Sequence, residues 1–510
     1  MSSAIEGLRP KGLWGHFEKL SEIPRPSKHE EVVLDYLKNM FTEKGLEWKQ
    51  DKAGNIIVRK NGTNGGEESS PLVIQSHVDM VCEKNREKEH DFMKEGITLV
   101  RDGKYLTADG TTLGADNGIG VAVMLALLDM PNEIKMPPLE CLFTVDEETG
   151  LNGAFDLDGS LINGKRMLNL DTEEWGCIYV GCAGGGDTLM NLPINYIEVP
   201  SDFLKFEISV EGLQGGHSGV NINEDRGNAI VFLAQILDKL TDGVTTSLVS
   251  IKGGDKQNAI PREAQAIVYI DPSEVATAQI IIDKRKKALA DEFGVREPNL
   301  IVKFSPMDRV LRISRQAFLS DSKTKGVDNI GDLVFDEQSQ RSLINLLRIL
   351  PHGVLKYSHS IPDLVETSNN LARIKRIENE YEILCSSRSS IAGAIEAIRE
   401  RIAIMGKTCG ATCSQADYYP GWKPDLNSSL LKTTKEVYEK CLGKEPEVAA
   451  IHAGLECGVI GEKVDGMEMV SIGPTITGAH SPDERVEIES VSLFWDMLIE
   501  LLSELAETGA

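Results

Sequence analysis

The sequence predicts an α/β protein with a parallel sheet buried on both faces, into which a second, α+β layer is inserted. Three observations carry this. Residues 1–187 alternate short apolar runs with a helical stretch that is apolar almost all round, the pattern of strands covered on both sides. From about residue 188 the texture changes to amphipathic helices and strands of alternating hydrophobicity, and after residue 416 an α/β pattern returns. At 510 residues the chain exceeds one ordinary domain, whose size is roughly 100–200 residues. Residues 1–187 and 417–510 are therefore expected to form one domain and 188–416 another.

The first element is helical. In "RPSKHEEVVLDYLKNMF", Ser27 followed three residues later by Glu30 reads as a capping box, and Val33, Tyr36, Leu37, Met40 and Phe41 recur at helical spacing. Its "HEEVV" resembles half of a zinc-binding helix, but the second histidine four residues on is missing, so His29 is read as a solvated first-turn residue. Strands follow at Asn55–Arg59, Leu72–Ser76, Leu139–Val145 and Met167–Leu170, with a helix over 119–130 that Pro131 stops. "GCAGGGD", 181–187, reads as a flexible exit from the first domain. In the inserted part, "FLKFEISVEG", "TSLVSIKGG" and "EAQAIVYID" are strands and "GNAIVFLAQILDKL" is a helix; a similar order returns in "SQRSLINLLRIL", "SNNLARIKRIE", "EYEILCSSRSS" and "SIAGAIEAIRERIAIM", as in an internal duplication. The segment from "NSSLLKTTKEVYEKCLG" to the helix "SVSLFWDMLIELLSELAE" completes the first sheet.

Composition excludes several classes. With 41% hydrophobic and 26% charged residues the chain is that of a soluble globular protein. Its longest apolar run, Ile119 to Leu128, falls far short of the ~20 residues a bilayer requires, and "MSSAIEGLRPKGLWG" has no signal-like core. No membrane association and a cytoplasmic location are expected. Nine cysteines, an odd number without a C-x-x-C pair, argue against a disulfide framework or a cysteine zinc knuckle. The formal charge of −25, from 54 basic and 79 acidic side chains, would repel nucleic acid. Two readings of the acid excess stay open: a solvating surface, or carboxylates that surround bound cations.

Chemistry is expected at the carboxyl ends of the buried strands, where open α/β sheets place their sites. "PLVIQS" ends in His77-Val78-Asp79, whose spacing of two puts the imidazole and the carboxylate on one side of an extended chain. "LFTV" runs into Asp146-Glu147-Glu148, "MLNL" ends at Asp171, and the turn "TTLGADNGIG" supplies Asp116. Such a turn at a helix start often cradles phosphate. Here a phosphate would meet the Asp116 carboxylate, Val123 stands where G-x-G-x-x-G needs its third glycine, and no P-loop lysine follows. Nor is "RIAIMGKT" a P-loop, since Arg401 occupies the first glycine position. The glycines at 114 and 118 are expected to let the backbone turn tightly so that Asp116 points into the site. Acids gathered at one sheet edge repel one another unless cations sit among them.

In order along the chain, "SHVDMVCEKN", "LGADNGIGVA", "TVDEETGLNGA", "NLDTEE", "GLQGGHSGVNI", "IHAGLECG" and "GAHSPDE" resemble the motifs of the co-catalytic zinc peptidase family that includes aminoacylase, glutamate carboxypeptidase and carnosinase. The resemblance spans nearly the whole chain. It implies a zinc-peptidase catalytic domain, built on a mixed, mostly parallel sheet flanked by helices, with an inserted α+β lid. It further implies two divalent ions, Zn²⁺ by preference with Mn²⁺ or Co²⁺ also fitting. His77, Asp116 and Asp171 would hold one ion and Asp116, Glu148 and His480 the other. Glu147 matches the family's general base, and Asp79 the acid that orients His77. His217 matches the lid histidine that polarises the substrate carbonyl, and Arg388 is the candidate for the substrate carboxylate. Asn258 and Asn369 resemble substrate-contacting positions, while Glu456 is open between substrate-amine binding and a structural role. The implied activity is hydrolysis of dipeptides with a free C-terminal carboxylate, Xaa-His of the β-Ala-His type included. The alternatives are an N-acyl amino acid deacylase or tripeptidase on the same centre and, farther off, a non-catalytic peptide-binding protein; homodimer and monomer both remain open.

Overall fold

The computed structural model describes residues 3–200, 202–307, 333–416 and 418–507. The chain divides into two compact units, Met1–Cys182 with Pro420–Ala510, and Ala183–Tyr419.

The first unit is built on an eight-stranded sheet in the order Glu47–Gln50, Ile56–Lys60, Leu139–Thr144, Leu72–His77, Arg166–Asn169, Glu468–Ser471, Cys177–Cys182, Glu447–Ile451. Its middle is parallel: Leu72–His77 pairs in parallel with Leu139–Thr144 on one side and Arg166–Asn169 on the other, and Arg166–Asn169 pairs in parallel with Glu468–Ser471. Antiparallel pairing enters at the hairpin Glu47–Gln50/Ile56–Lys60 and at Cys177–Cys182. The central three strands are buried at every residue. That burial explains why they lack hydrophobic alternation. Helix Ala115–Leu128 is buried at every residue but Asp116 and packs on strand Leu72–His77 and on helix Lys11–Ser21. The last helix, Ile488–Glu507, lays Val491, Phe494, Leu498, Leu501 and Leu505 inward and packs on Ser429–Leu442. Register places His77 opposite Thr144 and Gln75 opposite Asn169, so the loops 77–79, 145–148 and 170–171 leave one edge of the sheet.

The helix of residues 31–43 departs from the capping-box expectation. Its N-terminus at Glu31 has no side-chain cap. Lys28 adopts a left-handed φ of 68°, its N–H is taken by Glu30 Oε1, and the Ser27 hydroxyl instead donates to Asp79 Oδ2 at 2.8 Å. His29 is exposed and precedes the helix.

The second unit carries a nine-stranded sheet, ordered Ile301–Pro306, Leu204–Glu211, Ala264–Ile270, Thr246–Gly253, Val365–Ile377, Glu380–Ser389, Gly184–Pro193, Thr412–Gln415, with Gly353–Tyr357 also paired to Val365–Ile377. All these pairings are antiparallel. Ile208, Val210, Leu233, Ile236, Leu371 and Ile383 lie in its core. The order helix, hairpin, helix occurs twice: Ala229–Gly243, Thr246–Gly253/Ala264–Ile270, Val275–Phe293, and then Glu337–Ile349, Val365–Ile377/Glu380–Ser389, Ala392–Thr408.

The glycine run 181–187 is not a flexible exit. Residues 177–182 form a strand of the first unit, and Gly184–Pro193 pairs residue for residue with Glu380–Ser389. A Cβ on Gly185 would stand 2.3 Å from the Tyr419 hydroxyl, and one on Gly186 2.7 Å from the Tyr418 Cβ. The glycines therefore allow close packing of residues 418–419 against a strand.

Among the described residues no helix is long and apolar enough to cross a membrane. Truncating Leu125, fully buried in the central helix, to Ala is expected to cost about 2–5 kcal/mol. Val32→Ala, at a side chain 57% exposed, is expected to leave the urea midpoint unchanged. Comparing the two denaturation curves tests the packing.

Candidate metal centre

Five segments of the first unit bring two histidines and a set of acids together. His77, at the end of its strand, points Nε2 at Asp116 Oδ1 (3.0 Å) and Asp171 Oδ1 (3.4 Å). His480 points Nε2 at Asp116 Oδ2 (3.1 Å) and Glu148 Oε2 (2.9 Å). The two oxygens of Asp116 thus face different imidazoles. Ligand atoms of His77, Asp116 and Asp171 lie within 4.8 Å of one another, as do those of Asp116, Glu148 and His480 and those of His77, Glu147 and Glu148. Glu30, Asp79 and Asp146 form another such group. There Glu30 accepts the N–H of Lys28 and Asp146, while Asp79 accepts the N–H of Glu147 (3.1 Å) and Glu148 (3.2 Å), so these acids are already supplied with donors.

Local backbone puts Asp116 where it is. Gly114 takes a left-handed φ of 68°, and Asp116 and Asn117 stay outside helical geometry before the helix proper begins. Gly118 does not share that conformation; a Cβ there would lie 2.6 Å from Arg25 Nη2, so it makes room for a guanidinium rather than a turn. Asn117 Nδ2 donates to Asp171 Oδ1 at 2.6 Å. Asp79 lies 3.3 Å from His77 Nδ1 and, tied also to Ser27 and to residues 147–148, turns the other ring nitrogen toward Asp116 and Asp171.

Crowded like charges set the electrostatics of this cluster. Burial, with Asp116 and Glu148 nearby, pushes the Asp171 carboxyl up to about 6. Burial, with Asp171, Glu148 and Glu456, raises Glu147 well above the ordinary range. Hydrogen bonds to Asp116 and Glu148 push His480 up to about 11. Burial opposes the charged form of His77, yet Asp171 and Asp116 raise its pKa, and the two imidazoles hold Asp116 low against burial. Two imidazoles are the groups that ion-pair with these acids among the described residues. Among the described residues no Lys or Arg makes an ion pair with Asp116, Glu148 or Asp171, and buried Glu148 Oε1 has no hydrogen-bond partner. Imidazole and carboxylate donors sharing one bridging acid fit a pair of divalent cations. Glu173, in the quoted "NLDTEE", is one more acid here, pushed up to about 8 by burial and by Asp116 and Asp171.

Glu456 starts helix Glu456–Lys463 with no solvent exposure; Oε2 accepts from Thr144 Oγ1 (2.8 Å) and Gln75 Nε2, and burial pushes the carboxyl up to about 7. These bonds tie Glu456 to two strands under the site, while its buried Oε1 has no hydrogen-bond partner.

In the second unit, Gly216–His217 pairs with Ala259–Ile260, and exposed Asn258 accepts the Ser218 N–H through its carbonyl. Asn370 Nδ2 reaches the carbonyls of Gln257 and Ala259, and the neighbouring Ser368 lies opposite Arg388. Asn369 is fully buried, its Nδ2 donates to the Pro351 carbonyl (2.7 Å) and its Oδ1 accepts from Ser387 Oγ (2.8 Å). Arg388 is 7% exposed and donates Nη1 to the Tyr419 hydroxyl (2.8 Å), with no ion pair among the described residues. His217 Nδ1 accepts the N–H of Gly219 (3.2 Å) and Val220 (3.1 Å), so a neutral ring carries its proton on Nε2.

The sequence reading missed Arg25, Ser27, Asn117, Glu484 and Tyr419, all of which hold site residues or their loops. Glu484 and Asn117 stood inside the quoted motifs; Arg25, a single arginine in "IPRPS", carried no pattern to mark it.

Burial, aided by Arg388, lowers the pKa of His217 to about 4. Because the folded value lies below the unfolded one of about 6.5, its contribution to stability is present above that pH and lost as pH falls toward 4. Long-range ¹H–¹⁵N correlation at pH 6 is expected to show neutral His217 with Nε2–H; an imidazolium, or Nδ1–H, would contradict the geometry.

The profile of peptidase family M20/M25/M40 matches residues 73–504. The cytosol non-specific dipeptidase of Escherichia coli (strain K12) is 39% identical over 503 residues, 99% of either chain. The crystal structure of aminoacylhistidine dipeptidase from Vibrio alginolyticus superposes with a TM-score of 0.88 at 37% identity, covering 99% of this chain and 98% of that one. A tripeptidase from Staphylococcus aureus shares the fold at 17% identity, with a TM-score of 0.54 over 98% of this chain and 99% of that one. The chain belongs to peptidase family M20/M25/M40.

Proposed function

We propose that this chain is a cytosolic, metal-dependent dipeptidase that hydrolyses dipeptides with a free C-terminal carboxylate, Xaa-His substrates included. The observation that carries the reading is Asp116, each of whose oxygens faces a different histidine at about hydrogen-bond distance with a further acid beside each (3.0 and 3.1 Å). The high identity to dipeptidases, one of them named for aminoacyl-histidine substrates, supports the substrate class.

His77, Asp116 and Asp171 would hold one divalent ion and Asp116, Glu148 and His480 a second, with zinc the preferred identity for imidazole and carboxylate donors. When bound, such ions supply Lewis acidity, lowering the pKa of a water and polarising the substrate carbonyl. Glu147 is the chain's proton carrier: it takes a proton from the attacking water and delivers it to the departing amine nitrogen. Its neighbour Glu148 is committed to His480 at 2.9 Å, and Asp79 grips both backbone N–H groups, which keeps the two carboxylates in separate tasks.

The second unit offers recognition groups of its own. Arg388, buried and without an ion pair among the described residues, suits the substrate carboxylate, because a buried guanidinium gains most from a charged, bidentate acceptor. His217 Nε2–H suits a carbonyl oxygen that becomes negative during attack.

Glu147→Gln is expected to keep both metals while hydrolysis falls by about 10²–10⁴-fold; near-normal turnover would remove the base assignment. Assay of β-Ala-His, Gly-His, Leu-Gly, tripeptides and N-acetyl amino acids, before and after chelation and with Zn²⁺ or Mn²⁺ restored separately, tests the whole reading. Activity on dipeptides that vanishes with chelator and returns with metal is expected. A preference for N-acetyl amino acids or tripeptides would reassign the substrate, and metal-loaded protein that binds dipeptides without cleaving them would refute catalysis. Arg388→Met should raise KM for free dipeptides far more than for their C-terminal amides.

A further inference from the structure

Arg25 is buried to 2% exposure, donates Nη1 to the carbonyls of Val78 (3.0 Å) and Asp79 (3.1 Å) and Nη2 to the carbonyl of Gly114, and makes no ion pair among the described residues. Burying a guanidinium with only carbonyl acceptors is costly. All three acceptors lie in the two loops that carry His77 and Asp116. Glu484, likewise 2% exposed, answers from the other side: Oε2 accepts the N–H of Leu113 (2.7 Å) and Gly114 (2.9 Å), and Oε1 that of Asp116 (3.1 Å). These N–H groups lie at the start of the helix, before its backbone turns helical, where no partner within it is available, so without the carboxylate they would be buried unsatisfied donors. Glu484 stands four residues after His480, in the same loop.

We propose that Arg25 and Glu484 are positioning residues that clamp the Gly114–Asp116 turn by its carbonyl and its amides, fixing His77, Asp116 and His480 in one frame before any cation binds. The glycines fit this role, since a Cβ on Gly114 or Gly118 would stand 2.5 or 2.6 Å from Arg25 Nη2. Opposite charges on either side of the turn also offset each other within the buried region. A side chain that only filled space would not need three directed hydrogen bonds to one short turn, nor would it matter to cation affinity. The inference rests on the metal-binding reading above.

The test is Glu484→Gln, which keeps the shape but replaces one acceptor oxygen by an NH₂ facing N–H donors. Zn²⁺ or Co²⁺ alone is titrated into metal-free protein by calorimetry, the Co²⁺ absorption spectrum is recorded, and the unfolding midpoint of the metal-free protein is measured in parallel. We expect affinity for the weaker ion to fall about 10–100-fold, the Co²⁺ spectrum to change, and kcat to drop more than KM rises. Arg25→Lys, which keeps the charge and loses the fork, is expected to act in the same direction and serves where Glu484→Gln does not fold. Wild-type affinity and spectrum in a folded variant would overturn the clamp, as would a lowered midpoint with unaltered affinity. Failure of the metal-binding reading looks different: wild-type protein would then take up neither ion.

Discussion

Like charge held at close range is the constraint around which the first unit is arranged. Asp116, Glu147, Glu148 and Asp171 meet at one edge of a sheet whose central strands are entirely buried, and two imidazoles are the only groups that ion-pair with them among the described residues. Each carboxylate removed from water there costs free energy unless positive charge is supplied. A pair of divalent cations held by these groups would answer that demand. The parallel sheet is what makes the gathering feasible, because neighbouring strands that run the same way release their loops at the same edge.

Around these groups the protein spends neutral and charged hydrogen bonds on orientation. Asp79 links His77 to the 147–148 loop, Asn117 links the glycine turn to Asp171, and the fully buried Gln75, Thr144 and Glu456 join strands beneath. The second unit solves a different problem. Arg388 is kept buried with a tyrosine hydroxyl for company, and His217 is kept neutral by burial and the nearby Arg388 while two backbone donors fix its tautomer.

Much of this was legible in the residues. The buried strands came within a residue or two of their observed ends, because short apolar runs bounded by turns leave little choice. Every acid placed at a strand end stands there, since a strand's direction carries its following loop to a known edge. The errors have local causes. Ser27 looked like a helix cap, but a left-handed Lys28 redirected its hydroxyl to Asp79. The glycines 181–187 looked like a linker because flexibility and close packing ask for the same residue, and only the Tyr418–Tyr419 backing separates the two.

By itself, then, the sequence determined the class of fold, the order of the motifs and the kinds of side chain at each strand end, since those follow from periodicity and residue chemistry along the chain. Which oxygen of Asp116 faces which histidine, which nitrogen of His217 bears the proton, and the engagement of Arg25 and Glu484 with one turn were decided only by the tertiary structure. Those are relations between residues up to hundreds of positions apart. They depend on distances of a few tenths of an ångström that no local pattern encodes.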